Sequence, residues 1–155
     1  MRLFQTIFAV IAFFGLVNAG LAAEVKIENY SNNPVYVAQA NNVGRTVSFG
    51  WAVIRPNETA TFSAPDAADL YIRVQDKNGN AITFTNHKKF LDFSAHDERF
   101  MVTTEPDDST VWVLKSGPEL QNARNIKKGD KLPLGWTNRS FFAIGTGSHT
   151  LEIKP

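Results

Sequence analysis

The chain has no cysteine. That excludes disulfides, thiolate zinc centres, iron–sulfur ligation and a cysteine nucleophile. Charge is also scarce, since Lys, Arg, Asp and Glu make up 20% of the 155 residues and nearly cancel to a net +1. Such a balance supplies no basic field of the kind that nucleic acid or an anionic membrane surface selects, so neither is expected as a partner. A long helical period is missing too: no apolar repeat of 3.6 residues is sustained over the length of an ordinary helix. What the chain does have is aromatic side chains, twelve Phe, three Trp and three Tyr, set in short alternating runs. Its length fits one domain that can bury a core without metal or disulfide staples.

Residues 1–23 read as a secretory signal. Met1-Arg2 precede an apolar run to Val17, and small residues follow at Ala19, Ala22 and Ala23, the order of a cleavable leader. Cleavage after Ala19 has Val17 and Ala19 at the two recognised positions; cleavage after Ala23 is the alternative. The apolar run is short against the roughly 20 residues of a bilayer span, so no membrane span is expected in the mature chain. Removing the leader deletes Arg2 and no acid, which leaves a neutral domain over residues 24–155. An exported domain without disulfides points to a bacterial periplasm or cell exterior. Asn29, Asn57 and Asn138 each open an Asn-x-Ser/Thr sequence, an acceptor for glycosylation in a eukaryotic host or simply turn chemistry.

The strongest local signal is residues 70–84, LYIRVQDKNGNAITF. Asn and Gly tolerate the positive φ of a hairpin turn, and apolar and polar residues alternate on both sides. A two-residue loop at Asn78-Gly79 would mix both types on each face. A three-residue loop, Lys77-Asn78-Gly79, instead pairs Val74 with Ile82 and Ile72 with Phe84, so that Leu70, Ile72, Val74, Ile82 and Phe84 share one core face. Other strands are expected at EVKIENY, at Val35 to Val37, at RTVSFGWAVI with Val47, Phe49, Trp51 and Val53 on one face, and at TATFSA. Asn41 to Gly44 is expected to break the second of these. Residues 87–99 read as extended, leading into Phe100-Met101-Val102-Thr103. TVWVLK, apolar on both faces, is expected inside the sandwich. Residues 105–109 read as a turn and 117–131 as a long polar loop. Ser140 to Ile144 and His149 to Ile153 are expected to form a C-terminal hairpin. About nine or ten short strands with little helix predict an all-β fold, an antiparallel β-sandwich or Greek-key barrel.

Chemistry-bearing patterns are sparse. Asp76-Lys77-Asn78-Gly79-Asn80 opens like a calcium loop, but Ala81 and His87 occupy the positions that require Gly and Glu; turn geometry is the better reading. His87, His96 and His149 match no metal-ligand spacing. Gly145-Thr146-Gly147-Ser148 is a turn and not a nucleophile elbow. No metal or other cofactor is expected. Trp51 and Trp112 read as core residues. Trp136, beside the long polar loop in PLGWTNR, is the tryptophan expected to present an exposed stacking face, with Asn138 and Arg139 as polar neighbours in a candidate ligand site.

Gly50-Trp51-Ala52-Val53-Ile54-Arg55-Pro56-Asn57-Glu58, preceded by Pro34-Val35-Tyr36-Val37-Ala38, resembles a pattern in uncharacterised exported bacterial domains, Gly-Trp-x-x-Ile-x-Pro-Gly-Glu followed by a strand. Asn57 replaces the Gly of that pattern. The resemblance covers about 25 residues and implies an exported β domain, with no activity attached. The functional expectation is a non-enzymatic exported module that binds an envelope protein or glycan. Two alternatives are a carbohydrate- or peptidoglycan-acting enzyme and a surface-assembly subunit using exposed strand edges.

Overall fold

A computed structural model describes residues 22–65, 68–86, 89–104, 110–114, 131–132 and 134–155. Ten strands are present among them: β1 (Ala23–Asn29), β2 (Val35–Val43), β3 (Arg45–Ile54), β4 (Thr59–Ser63), β5 (Asp69–Gln75), β6 (Phe90–His96), β7 (Phe100–Thr104), β8 (Thr110–Leu114), β9 (Trp136–Ala143) and β10 (Gly147–Ile153). They form a three-stranded sheet, β10-β1-β4, and a seven-stranded sheet, β6-β9-β5-β2-β3-β7-β8. The fold is all-β, and the two sheets face each other as a sandwich. No described helix is long and apolar enough to cross a membrane. The reading of residues 105–109 and most of the 117–131 loop lies outside the described residues, as do the leader up to residue 21 and His87.

Two apolar clusters follow from the alternation of side chains along β2 and β5. On one face of the large sheet Val35, Val37, Leu70, Ile72 and Val74 pack against Val25, Ile27, Leu151 and Ile153 of the small sheet. This is the inter-sheet core. On the other face Ala38, Ala40, Tyr71, Phe100, Val102 and Phe141 form a second core, because the large sheet curls over on itself into a half-barrel. Small residues line the floor of the curl, and rings fill it. A Cβ built on Gly50 would lie 2.9 Å from both Ala38 Cβ and Phe100 Cε1, so the Phe100 ring occupies the space a side chain there would need.

The curl brings β6 up to β3. Its ends are tied by side chains and not by a continuous ladder. Ser48 Oγ donates to the Ser94 carbonyl at 3.3 Å, and Trp51 Nε1 donates to the His96 carbonyl at 2.7 Å. Trp51 reaches inward because the β2–β3 register shifts there: Val37 opposes Ala52 while Ala38 opposes Gly50. One extra residue on β3 bends the strand and re-aims its side chain. The expected single apolar face of β3 is thereby corrected. Ser48 and Ile54 are buried, Val53 is 47% exposed, and Trp51 joins the curl's core.

The 70–84 register is as expected around its turn. Asp76 N–H donates to the Asn80 carbonyl at 3.0 Å and Ile82 N–H to the Val74 carbonyl at 2.9 Å, with Gly79 at φ 83°. The returning arm forms only an isolated bridge, Gln75 to Ala81, since β9 occupies that side of β5 at Tyr71 and Ile72. Ile82 and Phe84 still pack on the inter-sheet core. Residues 90–96 are extended, as expected.

Three expectations are overturned. Residues 41–43 continue β2, pairing with Val47, Thr46 and Arg45, because Gly44 at φ 66° makes the turn by itself. The strand at residues 110–114 closes one end of the large sheet, paired among the described residues with β7 alone. The C-terminal hairpin does not form. Gly145 and Gly147, at φ 80° and 84°, carry the chain from one sheet to the other, and β10 lies parallel to β1.

Candidate functional site

One mouth of the half-barrel holds most of its polar chemistry. Tyr36 of β2 lies opposite Gln75 of β5, and Ala38 opposite Arg73, so the curl that is apolar in its middle becomes polar at this end. Arg139 comes from β9. The 76–79 turn forms the rim, and Trp51 and Asp97 close the far side. The cavity they line has a volume of about 560 Å³.

The rim is held by Asp76. Its Oδ1 accepts from the backbone N–H groups of Asn78 and Asn80 at 2.7 and 2.9 Å, and its Oδ2 from Asn80 Nδ2 at 2.9 Å. These bonds, the Asn80 side-chain amide first, hold the carboxyl below its ordinary range. The calcium-loop sequence is thus a side-chain-bonded turn. No group of three or more metal-ligating side chains occurs among the described residues.

Two guanidiniums converge on one amide. Arg73 Nε and Arg139 Nη1 donate to Gln75 Oε1 at 2.9 and 2.8 Å. Arg73 also donates from Nη2 to the Gly79 carbonyl at 3.0 Å and from Nη1 to the Ser140 carbonyl at 3.2 Å. All its acceptors are neutral. Burial, and next the charge of Arg139, push its guanidinium below the ordinary value, and it forms no ion pair with a described carboxylate. Arg139 differs. It sits 5.5 Å over the Trp51 ring, donates from Nε to Thr137 Oγ1 at 3.2 Å, and pairs with Asp97. The Arg139 side chain is 14% exposed and that of Asp97 is 80% exposed, and ion pairs with so much solvent access contribute roughly 0–1 kcal/mol.

The mouth is therefore rich in donors. Of its two carboxylates only Asp97, which stands in water, pairs with one of the arginines. Planar guanidinium forks suit carboxylate, sulfate or phosphate oxygens, and partial burial strengthens such contacts. Both carboxylates at the mouth are already engaged, Asp76 by the turn and Asp97 by Arg139.

Of the residues expected to bind ligand, Arg139 lies in this mouth. Trp136 does not present the expected stacking face. It is 5% exposed, with its ring edge-on to Phe100 at 5.7 Å and to His96 at 5.3 Å, because it opens β9 opposite His96 and folds over the barrel core. Asn138 is exposed on the outer face of β9, where its Oδ1 accepts from Ser94 Oγ at 3.1 Å, away from the cavity. Sequence reading missed Arg73, Gln75, Tyr36 and Asp97. The signal available was Arg73 itself, a cation at mid-strand on the face opposite the expected core.

A second cleft, about 900 Å³, runs between the sheets past Phe84, Lys89, His149, Glu152 and Lys154. Its charges are of both signs, and His149 Nε2 is bonded to the Thr146 carbonyl at 2.9 Å. It is larger than the arginine mouth but has no comparable convergence of groups. Asn29 is fully buried and bonds through Nδ2 to the carbonyls of Asn33 and Ile54 at 2.8 and 3.0 Å, so its glycosylation sequence is structural. No family model, curated protein or solved structure matches the chain.

Proposed function

We propose that this is an exported, non-enzymatic β-sandwich module that binds an anionic ligand of the cell envelope, an acidic glycan first of all, at the Arg73–Arg139 mouth. The observation that carries the reading is Arg73, a partly buried guanidinium whose described hydrogen-bond acceptors are all neutral and which feels the charge of a second arginine, Arg139. A partly desolvated charge without a counter-ion is costly to keep in a fold. An incoming anion supplies the missing charge. Tyr36 and Trp51 contribute aromatic side chains to the cavity lining, and the polar rim suits a hydroxylated ligand.

The test is a glycan array and solution titration of the mature domain with acidic and neutral oligosaccharides. Binding confined to acidic members, and reduced at least tenfold by Arg73→Gln, is the expected result. Equal retention of neutral and acidic glycans, or indifference to Arg73→Gln, would remove this assignment.

A further inference from the structure

Gln75 carries a second observation at the same mouth. The residue is 7% exposed and lines the cavity. Its Oε1 takes both arginines, which fixes the orientation of the amide, because a flipped amide would set an NH₂ against two guanidinium donors. The Nε2 group then has no acceptor among the described residues, on a side chain that lines the cavity. Buried amide donors are ordinarily satisfied. Each guanidinium, with five N–H donors, spends three on the bonds given above. The mouth therefore offers unused donors from Arg73, Gln75 and Arg139 together. Among its described carboxylates Asp76 is bound up in the 76–80 turn, and the one that reaches an arginine is Asp97, on Arg139.

We infer that the group recognised at this mouth is the carboxylate of an acidic saccharide, and that Asp97 is its tethered stand-in, displaced from Arg139 when the ligand enters. This rests on the reading of the mouth as an anion site. Asp97 follows the last residue of β6, on the short 97–99 connection to β7, and its side chain is 80% exposed, so it can leave Arg139 without unpacking the core. The ligand's carboxylate then takes the Arg139 fork and Gln75 Nε2, and compensates Arg73. Its ring lies in the space between Tyr36 and the rim. Asp97 thus weakens binding by competing for Arg139, which favours ligands of the same planar geometry.

The experiment is calorimetric titration of the mature domain with a short oligogalacturonate, a sulfated neutral oligosaccharide of similar length and a peptide ending in a free carboxylate. Wild type, Asp97→Asn, Gln75→Glu and Arg73→Gln are compared. Removing a competing exposed ion pair is expected to tighten oligogalacturonate binding about two- to fivefold in Asp97→Asn. Gln75→Glu, an isosteric change that places a permanent carboxylate between the arginines, is expected to abolish it. Unchanged or weaker binding by Asp97→Asn, with Arg73→Gln still impaired, overturns the stand-in and leaves the anion site. Equal or tighter binding of the sulfated sugar or of the peptide overturns the acidic-saccharide assignment. Oligogalacturonate binding that Arg73→Gln and Gln75→Glu leave unchanged, or the failure of wild type and Asp97→Asn alike to bind any of the three probes, removes both readings.

Discussion

Phe100 is the side chain on which the half-barrel closes, and truncating it measures how much that closure contributes. The ring is fully buried and stands edge-on to Trp51 at 5.8 Å and to Trp136 at 5.7 Å, against the bare backbone of Gly50. Phe100→Ala should cost about 3–5 kcal/mol, the range for a large core ring replaced by a cavity, a large share of the 5–15 kcal/mol that holds an ordinary domain together. Phe100→Leu keeps most of the volume and loses the two aromatic contacts, so roughly 1–3 kcal/mol is expected. Gly50→Ala attacks the same contact from the other side. Its methyl would overlap both the ring and Ala38, at about 1–3 kcal/mol for overpacking. Since Phe100 is one of the two partners in that clash, Gly50→Ala should cost less in the Phe100→Leu background than in wild type. Urea unfolding followed by far-ultraviolet circular dichroism reads the wild type and all four variants, the double variant included. A loss below about 1 kcal/mol for Phe100→Ala, or strict additivity in the Gly50–Phe100 cycle, would refute the packing described for the curl.

Trp51→Phe keeps the ring but removes the donor to the His96 carbonyl, and should destabilise by about 1–3 kcal/mol in the same urea assay through the orphaned acceptor. Asp76 has a folded pKa below its unfolded one, so its contribution is present above the unfolded pKa and lost as pH falls through the folded value; Asp76→Ala should be less stable than wild type at neutral pH, with the gap in urea midpoint closing over that acidic interval. Ala23 is buried and its carbonyl accepts from Ala64 N–H at 3.0 Å, within a strand that cleavage after Ala23 would cut. If residues 1–19 are removed as the proposed leader, amino-terminal sequencing should therefore begin at Gly20, and a chain beginning at Glu24 would contradict the part given to Ala23.

What could be read from sequence was whatever local geometry determines. The three-residue loop at 77–79 follows from keeping Val74 opposite Ile82, and the structure has that register. Asn57, between two alternating runs, is of a residue type that tolerates positive φ, and it lies at φ 63°. Alternation failed at β3, because it assumes a strand without a bulge, and the extra residue at Trp51 exchanges the inward and outward sets beyond it. It failed again at β10. Two strands with a glycine-rich link pair as readily in a hairpin as not, and the choice of β1 as partner depends on Val25, Ile27, Leu151 and Ile153 sharing a core across the whole chain. The candidate site was half visible. Arg139 was picked out for its neighbour Trp136, which proves to be core, and its functional companion Arg73 is remote in sequence, joined to it through Gln75 only when β5 and β9 lie side by side. Each arginine alone looks like an ordinary strand residue.

The location of the ligand is the central claim, and side-chain nuclear magnetic resonance tests it most directly. With labelled mature domain and an added acidic oligosaccharide, the account predicts perturbation of the Arg73 and Arg139 Nε–H signals, of the Gln75 side-chain amide and of the Gly79 and Asp97 backbone amides. Shifts gathered instead at Phe84, His149 and Glu152 along the inter-sheet cleft, with the arginine signals unmoved, would contradict it.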